Sequence, residues 1–189
     1  MQKCGLMNID QISSLANLEI LDLSSNRDMN LSSLYLVTSL TKLDMMSCSL
    51  KNIDQITQLI NLEVLNLASN QLLTINSIGS LVNLKELDIS QNIQVDIAPL
   101  KDLVGLIKLN MKSCNLRQLS ALKYLINLQE LDLSENSYIN ITELQYLKNL
   151  SYLYLQSCGL VSIYVLRPLE SSLSKYFKKQ YSVFRCKYQ

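Results

Sequence analysis

Acidic side chains recur at one fixed spacing along the chain and are the first candidates for chemistry. Asp22, Asp44, Asp88 and Asp132 lie 22 or 44 residues apart, with Asn66 in the same series between the second and third. Such a column could hold a cation, supply paired carboxylates for acid–base catalysis, or simply keep an exposed face soluble. Carboxylates two units apart cannot converge within the roughly 2.5 Å that a shared Ca²⁺ requires. We therefore expect the column to provide solubility.

No other residues form a motif for catalysis or cofactor binding. The 189 residues include no histidine, which removes histidine acid–base catalysis and histidine metal ligands. The sequence also lacks glycine-rich phosphate loops, C-x-x-C pairs and EF-hand loops. We expect a protein that is not an enzyme and that uses no cofactor, no metal and no small-molecule substrate.

Composition indicates one folded domain with a sizeable core. Apolar residues make up 48% of the chain, and 17 Lys and Arg nearly balance 16 Asp and Glu. Because no charge dominates, no long-range field attracts nucleic acid or a membrane surface, and we expect neither as a partner. No stretch approaches the roughly 20 apolar residues of a membrane helix, and the first ten residues lack a secretory signal. These features favour a cytoplasmic location.

A repeat of 22 residues organises nearly the whole sequence. Leucines open seven equivalent frames: Leu18, Leu40, Leu62, Leu84, Leu106, Leu128 and Leu150. Each frame follows L-x-x-L-x-L-x-x-(N/C), and the alternation within Leu21-Asp22-Leu23 predicts a short strand. One unit cannot bury its own apolar edge, so each strand should pair in parallel with the strand of the next unit. The rest of each short unit should return as 3₁₀ turns or extended chain.

The repeated frame resembles the leucine-rich repeat family, in particular its short subclass found in the type-1 protein phosphatase regulatory subunit and in bacterial internalins. The resemblance implies an α/β solenoid, a horseshoe or arc with a parallel β-sheet on its concave side and 3₁₀ or extended chain on its convex side. Residues 1–166 are predicted to form the solenoid, with seven full frames and a partial N-terminal unit. Residues 167–189 are predicted to form a basic cap or tail.

Four cysteines occupy the last frame position, where other units carry asparagine: Cys4, Cys48, Cys114 and Cys158. The family resemblance implies that this side chain turns inward and bonds the backbone of a neighbouring loop. The nearest pairs are two units apart, hence roughly 10 Å by the strand spacing. That separation exceeds the about 7 Å that a disulfide allows, so we expect reduced, structural thiols in a reducing compartment. Cys186, in the tail, should be an ordinary exposed free cysteine.

The frame also predicts which side chains face outward from the concave sheet. Most are polar, but an apolar patch lies near the N-terminal end and two tyrosines lie near the other end. Exposed aromatic and apolar residues among charges are typical of interface hot spots. We predict that a protein partner contacts the following residues: Ile20, Lys42, Met46, Val64, Lys108, Lys112, Tyr152 and Tyr154. For the two tyrosines, burial under the C-terminal segment is an equal alternative.

The C-terminal segment differs sharply in charge from the repeats. Residues 165–189 carry six Lys or Arg and one Glu, a net charge of +5. Pro168 could open a short helix, on which Leu169, Leu173, Tyr176 and Phe177 share a face. A cap over the last repeat is the preferred interpretation, with membrane or nucleic-acid binding and a disordered tail as alternatives. At the N-terminal end no cap precedes the first unit, which favours a fragment of a longer array or self-association.

The sequence therefore predicts a non-enzymatic scaffold that binds a protein through its concave sheet, without naming that protein. One alternative is the repeat portion of a larger multidomain protein whose catalytic or membrane-anchored part lies elsewhere. Another is a phosphatase regulatory subunit, although the tail lacks the cap motif of that family member.

Overall fold

The computed structural model describes residues 5–6, 8–169 and 172 of the chain. One open parallel sheet runs through it in chain order, with strands β1 Ile20–Asp22, β2 Lys42–Asp44, β3 Val64–Asn66, β4 Glu86–Asp88, β5 Lys108–Asn110, β6 Glu130–Asp132 and β7 Tyr152–Tyr154. The register is 22 residues at every step, so that Ile20 pairs with Lys42 and Leu21 with Leu43. The predicted solenoid arc with a parallel sheet is confirmed.

Short 3₁₀ segments return the chain on the convex side. They are η1 Asp10–Ser14, η2 Leu34–Leu36, η3 Asp54–Ile56, η4 Asn76–Ser80, η5 Ala98–Asp102, η6 Ser120–Tyr124, η7 Thr142–Tyr146 and η8 Tyr164–Leu169. The 3₁₀ helix, in which residue i+3 donates to residue i, suits these segments because each unit leaves little room for a longer helix. In the described part of the chain, no helix is long and apolar enough to cross a bilayer.

The last 3₁₀ segment spans residues 166 and 167, where the sequence analysis places the change from repeats to tail. Pro168 lies inside η8, which begins at Tyr164, and the helix predicted to begin at Pro168 falls mainly on residues outside those described. Leu169 is buried in the core. The predictions for Cys4, Cys186 and the apolar face that continues at Leu173, Tyr176 and Phe177 lie outside the described residues, as does the cap itself.

Leucine layers fill the space between the sheet and the 3₁₀ segments. The middle residue of every strand is buried, and the frame leucines from Leu40 to Leu150 are fully buried. Leu15 is 46% exposed, whereas its equivalents Leu59 and Leu81 are 0% exposed. Those equivalents are covered by units on both sides, while within the described residues only the following unit packs on Leu15. At this position the first repeat is therefore less buried than the repeats that contain Leu59 and Leu81.

Each strand ends in a turn that requires left-handed backbone. The seven residues that precede the frame Asn or Cys all have φ between 56° and 62°, namely Ser25, Ser47, Ser69, Gln91, Ser113, Glu135 and Ser157. The N–H groups of the first six extend the ladder to the next unit, as from Ser47 to the Ala68 carbonyl (2.9 Å). None of them is glycine, so each turn carries the cost that a Cβ imposes in this region.

Replacing Ser47 by glycine should raise the free energy of unfolding by roughly 0.5–1 kcal/mol, because relief of left-handed strain exceeds the added chain entropy. Thermal and denaturant unfolding would measure the change. Ser32→Gly is the matched control, since Ser32 is exposed and is not among the residues with positive φ; it should destabilise. Equal destabilisation by both changes would contradict the role of the turn.

The frame asparagines form an internal ladder of hydrogen bonds between units. The Asn136 amide nitrogen donates to the carbonyls of Met111 (2.9 Å) and Leu133 (2.8 Å). Its Oδ1 accepts from the N–H groups of Cys114 (3.1 Å) and Leu116 (3.0 Å) in the preceding unit. Each such asparagine therefore fastens two adjacent loops, as the family resemblance implied.

The three frame cysteines among the described residues replace the donor that asparagine supplies to the ladder, but not its acceptor. The Cys114 thiol contacts the Ile89 carbonyl (3.1 Å), 25 residues back, as the Asn136 amide contacts the Met111 carbonyl. A thiol donates weakly and offers no comparable acceptor. Cys48, Cys114 and Cys158 are free and buried. Burial raises the pKa of all three thiols, that of Cys114 to about 11.

The raised pKa of Cys114 should make the protein less stable in alkali. The folded state holds the thiol proton until about pH 11, whereas the unfolded state releases it from about pH 8.5. The contribution to stability is therefore complete below the unfolded pKa and falls as pH rises toward 11, by about 3 kcal/mol in all. The free energy of unfolding, measured from pH 8 to 11, should fall less steeply with pH in Cys114→Ala than in the parent. An equally steep fall in both proteins would refute the assignment.

Candidate protein-binding face

The eight predicted contact residues all have side chains with some exposure on the sheet side or its border. Ile20 is 61% exposed, Tyr152 43% and Met46 41%. Lys42 and Lys108 are also exposed, while Val64, Lys112 and Tyr154 are half-buried. Their role in binding stays a prediction. Ala68, which the frame places in one column with Met46 and Lys112, is instead buried.

Both lysines toward the C-terminal half are paired with acidic groups. Lys108 Nζ lies 2.9 Å from Glu86 Oε1 in the previous unit, and this contact raises the pKa of Lys108. Lys112 Nζ lies 3.0 Å from Glu135 Oε1 in the next unit. A hydrogen bond from Ser113, followed by Lys112, lowers the pKa of Glu135. These pairs are solvent-exposed and hence weak, so a partner can exchange them for its own charges at little cost.

The acidic column has a structural use that the sequence analysis missed. Asp88 Oδ1 accepts from the N–H of Ser90 (2.8 Å), and its Oδ2 accepts from Asn110 Nδ2 (2.8 Å). The same turn closes the strands at Asp22, Asp44, Asn66, Asn110 and Asp132. In β1 to β6 the side chain of the last strand residue thus accepts from the backbone N–H two residues further on, so the column has a structural use beside the expected solubility. Among the described residues, no three His, Cys, Asp or Glu side chains come together as a metal site.

A groove of about 380 Å³ crosses the sheet from β3 to β7. Four carboxylates line it, those of Glu86, Asp88, Glu130 and Asp132. Lys108 is the ammonium on the same lining, which leaves a net charge of −3. Val64 and Tyr154 supply apolar and aromatic surface at its two ends. The groove therefore suits a cationic ligand that also carries apolar groups.

Sequence reasoning identified Val64, Lys108 and Tyr154 but not the glutamates of this groove. Glu86 and Glu130 share a frame position with Lys108 and flank it along the sheet. The order negative, positive, negative at this frame position was the signal in the sequence for these charge pairs, because side chains at one frame position lie about 4.8 Å apart. The frame thus shows which side chains are neighbours along the sheet, whereas the groove itself is formed by side chains from five strands.

A second exposed feature lies on the flank of the solenoid, two residues before each frame leucine. Four consecutive units place an exposed aliphatic side chain there: Ile60, Val82, Val104 and Ile126, each 52–59% exposed. The next residue in three of these units is an asparagine that donates to the preceding unit, as Asn83 donates to the Ile60 carbonyl (2.9 Å). The frame pattern did not identify this flank, because the repeat consensus concerns buried positions.

Comparisons with known proteins agree with the geometry. A family model described as leucine-rich repeats in two copies matches residues 60–103. No curated protein is similar enough to be reported as a relative. An internalin, inlF, from Listeria monocytogenes superposes with a TM-score of 0.80 at 28% identity, covering 86% of this chain and 48% of its own. Internalin C2 of the same organism gives 0.79 at 29% identity, covering 88% and 74%.

Two further solved structures also superpose on this chain. A leucine-rich repeat protein of Leptospira interrogans superposes with a TM-score of 0.77 at 28% identity, covering 88% of this chain and 45% of its own. TLR13 in complex with ssRNA13 superposes with a TM-score of 0.72 at 26% identity, covering 91% and 30%. This chain thus spans about half the length of the inlF and Leptospira structures and three quarters of internalin C2.

Proposed function

Because the chain is a leucine-rich repeat protein built from 22-residue units, we propose that it is a non-enzymatic scaffold that binds a protein partner through its concave sheet. The observation that carries the proposal is the exposure of large apolar and aromatic side chains on an otherwise polar sheet. Ile20 is 61% exposed and Tyr152 43%. The cores of protein interfaces are enriched in aromatic residues and Met relative to the rest of the protein surface.

The face offers two kinds of contact that suit a folded or extended polypeptide. Met46 and Ile20 extend from the first two units, and Tyr152 and Tyr154 from the seventh. Between them, the acidic groove disfavours a phosphate backbone, since nucleic-acid binding depends on neutralising phosphates with Lys and Arg. A basic, aromatic or aliphatic polypeptide is the chemistry that this surface accommodates.

A cytoplasmic location forms part of the proposal. Three buried cysteines remain free, in accordance with a reducing compartment. Differential labelling of thiols in extracts of the native cells would measure the redox state, and intermolecular disulfides in freshly lysed cells would count against this location.

The test of the proposed function is affinity capture from native cell extract with a matched pair of variants. Met46→Ala, Tyr152→Ala and Tyr154→Ala together should abolish capture, because each aromatic hot spot contributes about 2 kcal/mol, roughly 30-fold in affinity. The control carries Ile60→Ala, Val82→Ala and Val104→Ala, which removes apolar surface from the flank. Both variants should retain the circular dichroism spectrum of the parent. Loss of capture only in the flank variant would move the interface away from the sheet.

A further inference from the structure

Charge is divided unequally among three parts of this chain. The eight residues that begin at each frame leucine, which contain the strands, carry nine acidic residues and four lysines, a net charge of −5. The other described residues carry seven basic and six acidic residues, a net charge of +1. Residues 173–189 carry five Lys or Arg and no acidic residue, a net charge of +5. Of the nine acidic residues, Glu19 and Glu63 line a separate pocket beside Asn61 and Asn83, and the other seven lie on the strands or in the turn after them. The acidic charge of the repeats is therefore mostly on the sheet side, and the terminal segment has the opposite sign.

The terminal segment also has the apolar content that the groove accommodates. Residues 173–189 contain both phenylalanines of the chain and three tyrosines, interleaved with the basic residues as in KYFKK at 175–179. The groove combines four carboxylates with surface from Val64 and Tyr154. A basic side chain can pair with Glu130 or displace Lys108 from Glu86, and an aromatic ring can pack on Tyr154.

Distance permits the contact within one molecule. Leu169 is the last residue of η8, at the end of the solenoid that also presents β7. From β7 to β3 the groove covers four strand spacings, about 19 Å, and the layer between sheet and 3₁₀ segments adds about 10 Å. Seventeen residues reach up to about 56 Å when extended. The segment is therefore long enough to enter the groove from the C-terminal end and cross all five strands.

We propose that residues 173–189 bind in the acidic groove on the concave sheet of the same chain and act as an intramolecular competitor of the partner. The contact itself depends only on this chain, whereas its regulatory consequence rests on the proposed function. A partner must then displace the segment, and salt or modification of its lysines opens the face.

Cys186 offers a direct test in the full-length protein. A nitroxide attached to Cys186 in a Cys4→Ser background reports which amides lie near the segment, because the three remaining cysteines are buried and their thiols have raised pKa values. Amide signals of β3 to β6 should be weakened more than those of η3 to η6, which lie about 10 Å further from the groove. The loss should reverse at 1 M salt, where the Debye length falls to about 3 Å.

A pair of charge variants makes the test specific. Glu86→Gln with Glu130→Gln removes two charges from the groove and should restore the β3 to β6 signals. Asp102→Asn with Glu143→Gln removes the same charge from η5 and η7 on the convex side and should leave the loss unchanged. Equal effects of the two pairs would refute groove binding.

Three other outcomes would overturn the proposal. Signal loss confined to β7 and η8 would make the segment an end cap. Uniform signals would mean that the segment has no preferred position. A mixture of isotope-labelled chain without nitroxide and spin-labelled chain without isotope label reports contacts between molecules. Loss of groove signals in this mixture would mean that the occupant is the segment of a second copy. None of these measurements uses a partner, so failure here and failure of the capture experiment are distinguishable.

Discussion

Replacement of Asn136 by alanine is expected to lower the free energy of unfolding by about 2–6 kcal/mol, because two buried N–H groups each lose their acceptor at about 1–3 kcal/mol apiece. Those groups belong to Cys114 and Leu116 of the preceding unit. The Met111 carbonyl loses its inter-unit donor at the same time. Denaturant unfolding with a check for an unchanged m-value would measure the loss.

Two control variants separate the parts of this effect. Asn136→Cys should cost less than Asn136→Ala, since a thiol at this frame position can reach the carbonyl 25 residues back, as Cys114 reaches Ile89. Asn140→Ala removes an exposed turn acceptor and should cost about 1 kcal/mol or less. If the alanine variants at 136 and 140 had equal stability, the ladder would not fasten the units.

Truncation of Leu109 to alanine should cost about 3–5 kcal/mol, more than the same truncation of Leu21. Both leucines lie at the middle of a strand and are 2% and 4% exposed. Leu109 lies in β5, between two paired neighbours, whereas β1 is an edge strand of the sheet. In a solenoid each unit contacts only its neighbours, so the cost at Leu21 cannot exceed the free energy of local opening of the first unit.

Hydrogen exchange would distinguish the two leucine variants as well as unfolding curves do. Leu21→Ala should accelerate exchange in the first unit alone, with β4 to β7 unchanged. Leu109→Ala should accelerate exchange on both sides of β5. Uniform acceleration by Leu21→Ala would mean that the chain unfolds as a single unit, contrary to this expectation.

The choice between asparagine and cysteine at the end of one frame is coupled to the loop of the preceding unit. Where the next unit carries Asn, a leucine N–H donates to its Oδ1; the leucines are Leu6, Leu50, Leu72 and Leu116. Where the next unit carries Cys, the equivalent residue is Asp28, Gln94 or Tyr138. Asp28 and Tyr138 then have positive φ, and the following residue packs on the core, as Val95 and Ile139 do.

This coupling shifts the apolar residue of the loop by one position. An Asn acceptor draws a backbone N–H inward and buries the leucine attached to it, as at Leu72. A thiol offers no such acceptor, so the loop turns outward at Tyr138 and buries Ile139 instead. Both residue patterns are present in the sequence, but their connection across 20 residues becomes evident only when adjacent units are stacked.

The amino-acid sequence by itself determined the period, the strands and the register. A 22-residue frame without insertions leaves one way to pair Leu21 with Leu43 that buries both, because a shift by one residue would turn every side chain to the opposite face. The same alternation placed Ile20, Lys108 and Tyr152 outward. These features follow from local periodicity, which the chain carries in each unit.

Only the tertiary structure decided how polar groups from different units are used. In the structure, Asp88 accepts hydrogen bonds from the N–H of Ser90 in the turn and from the side chain of Asn110 in the next unit. The tertiary structure also joins Glu86, Glu130 and Tyr154 into one groove. Their positions depend on atoms 22 or more residues away, and a polar side chain is directed by the donor or acceptor it meets there. Residue type alone does not specify that partner, whereas an apolar side chain needs only the buried side of its own strand.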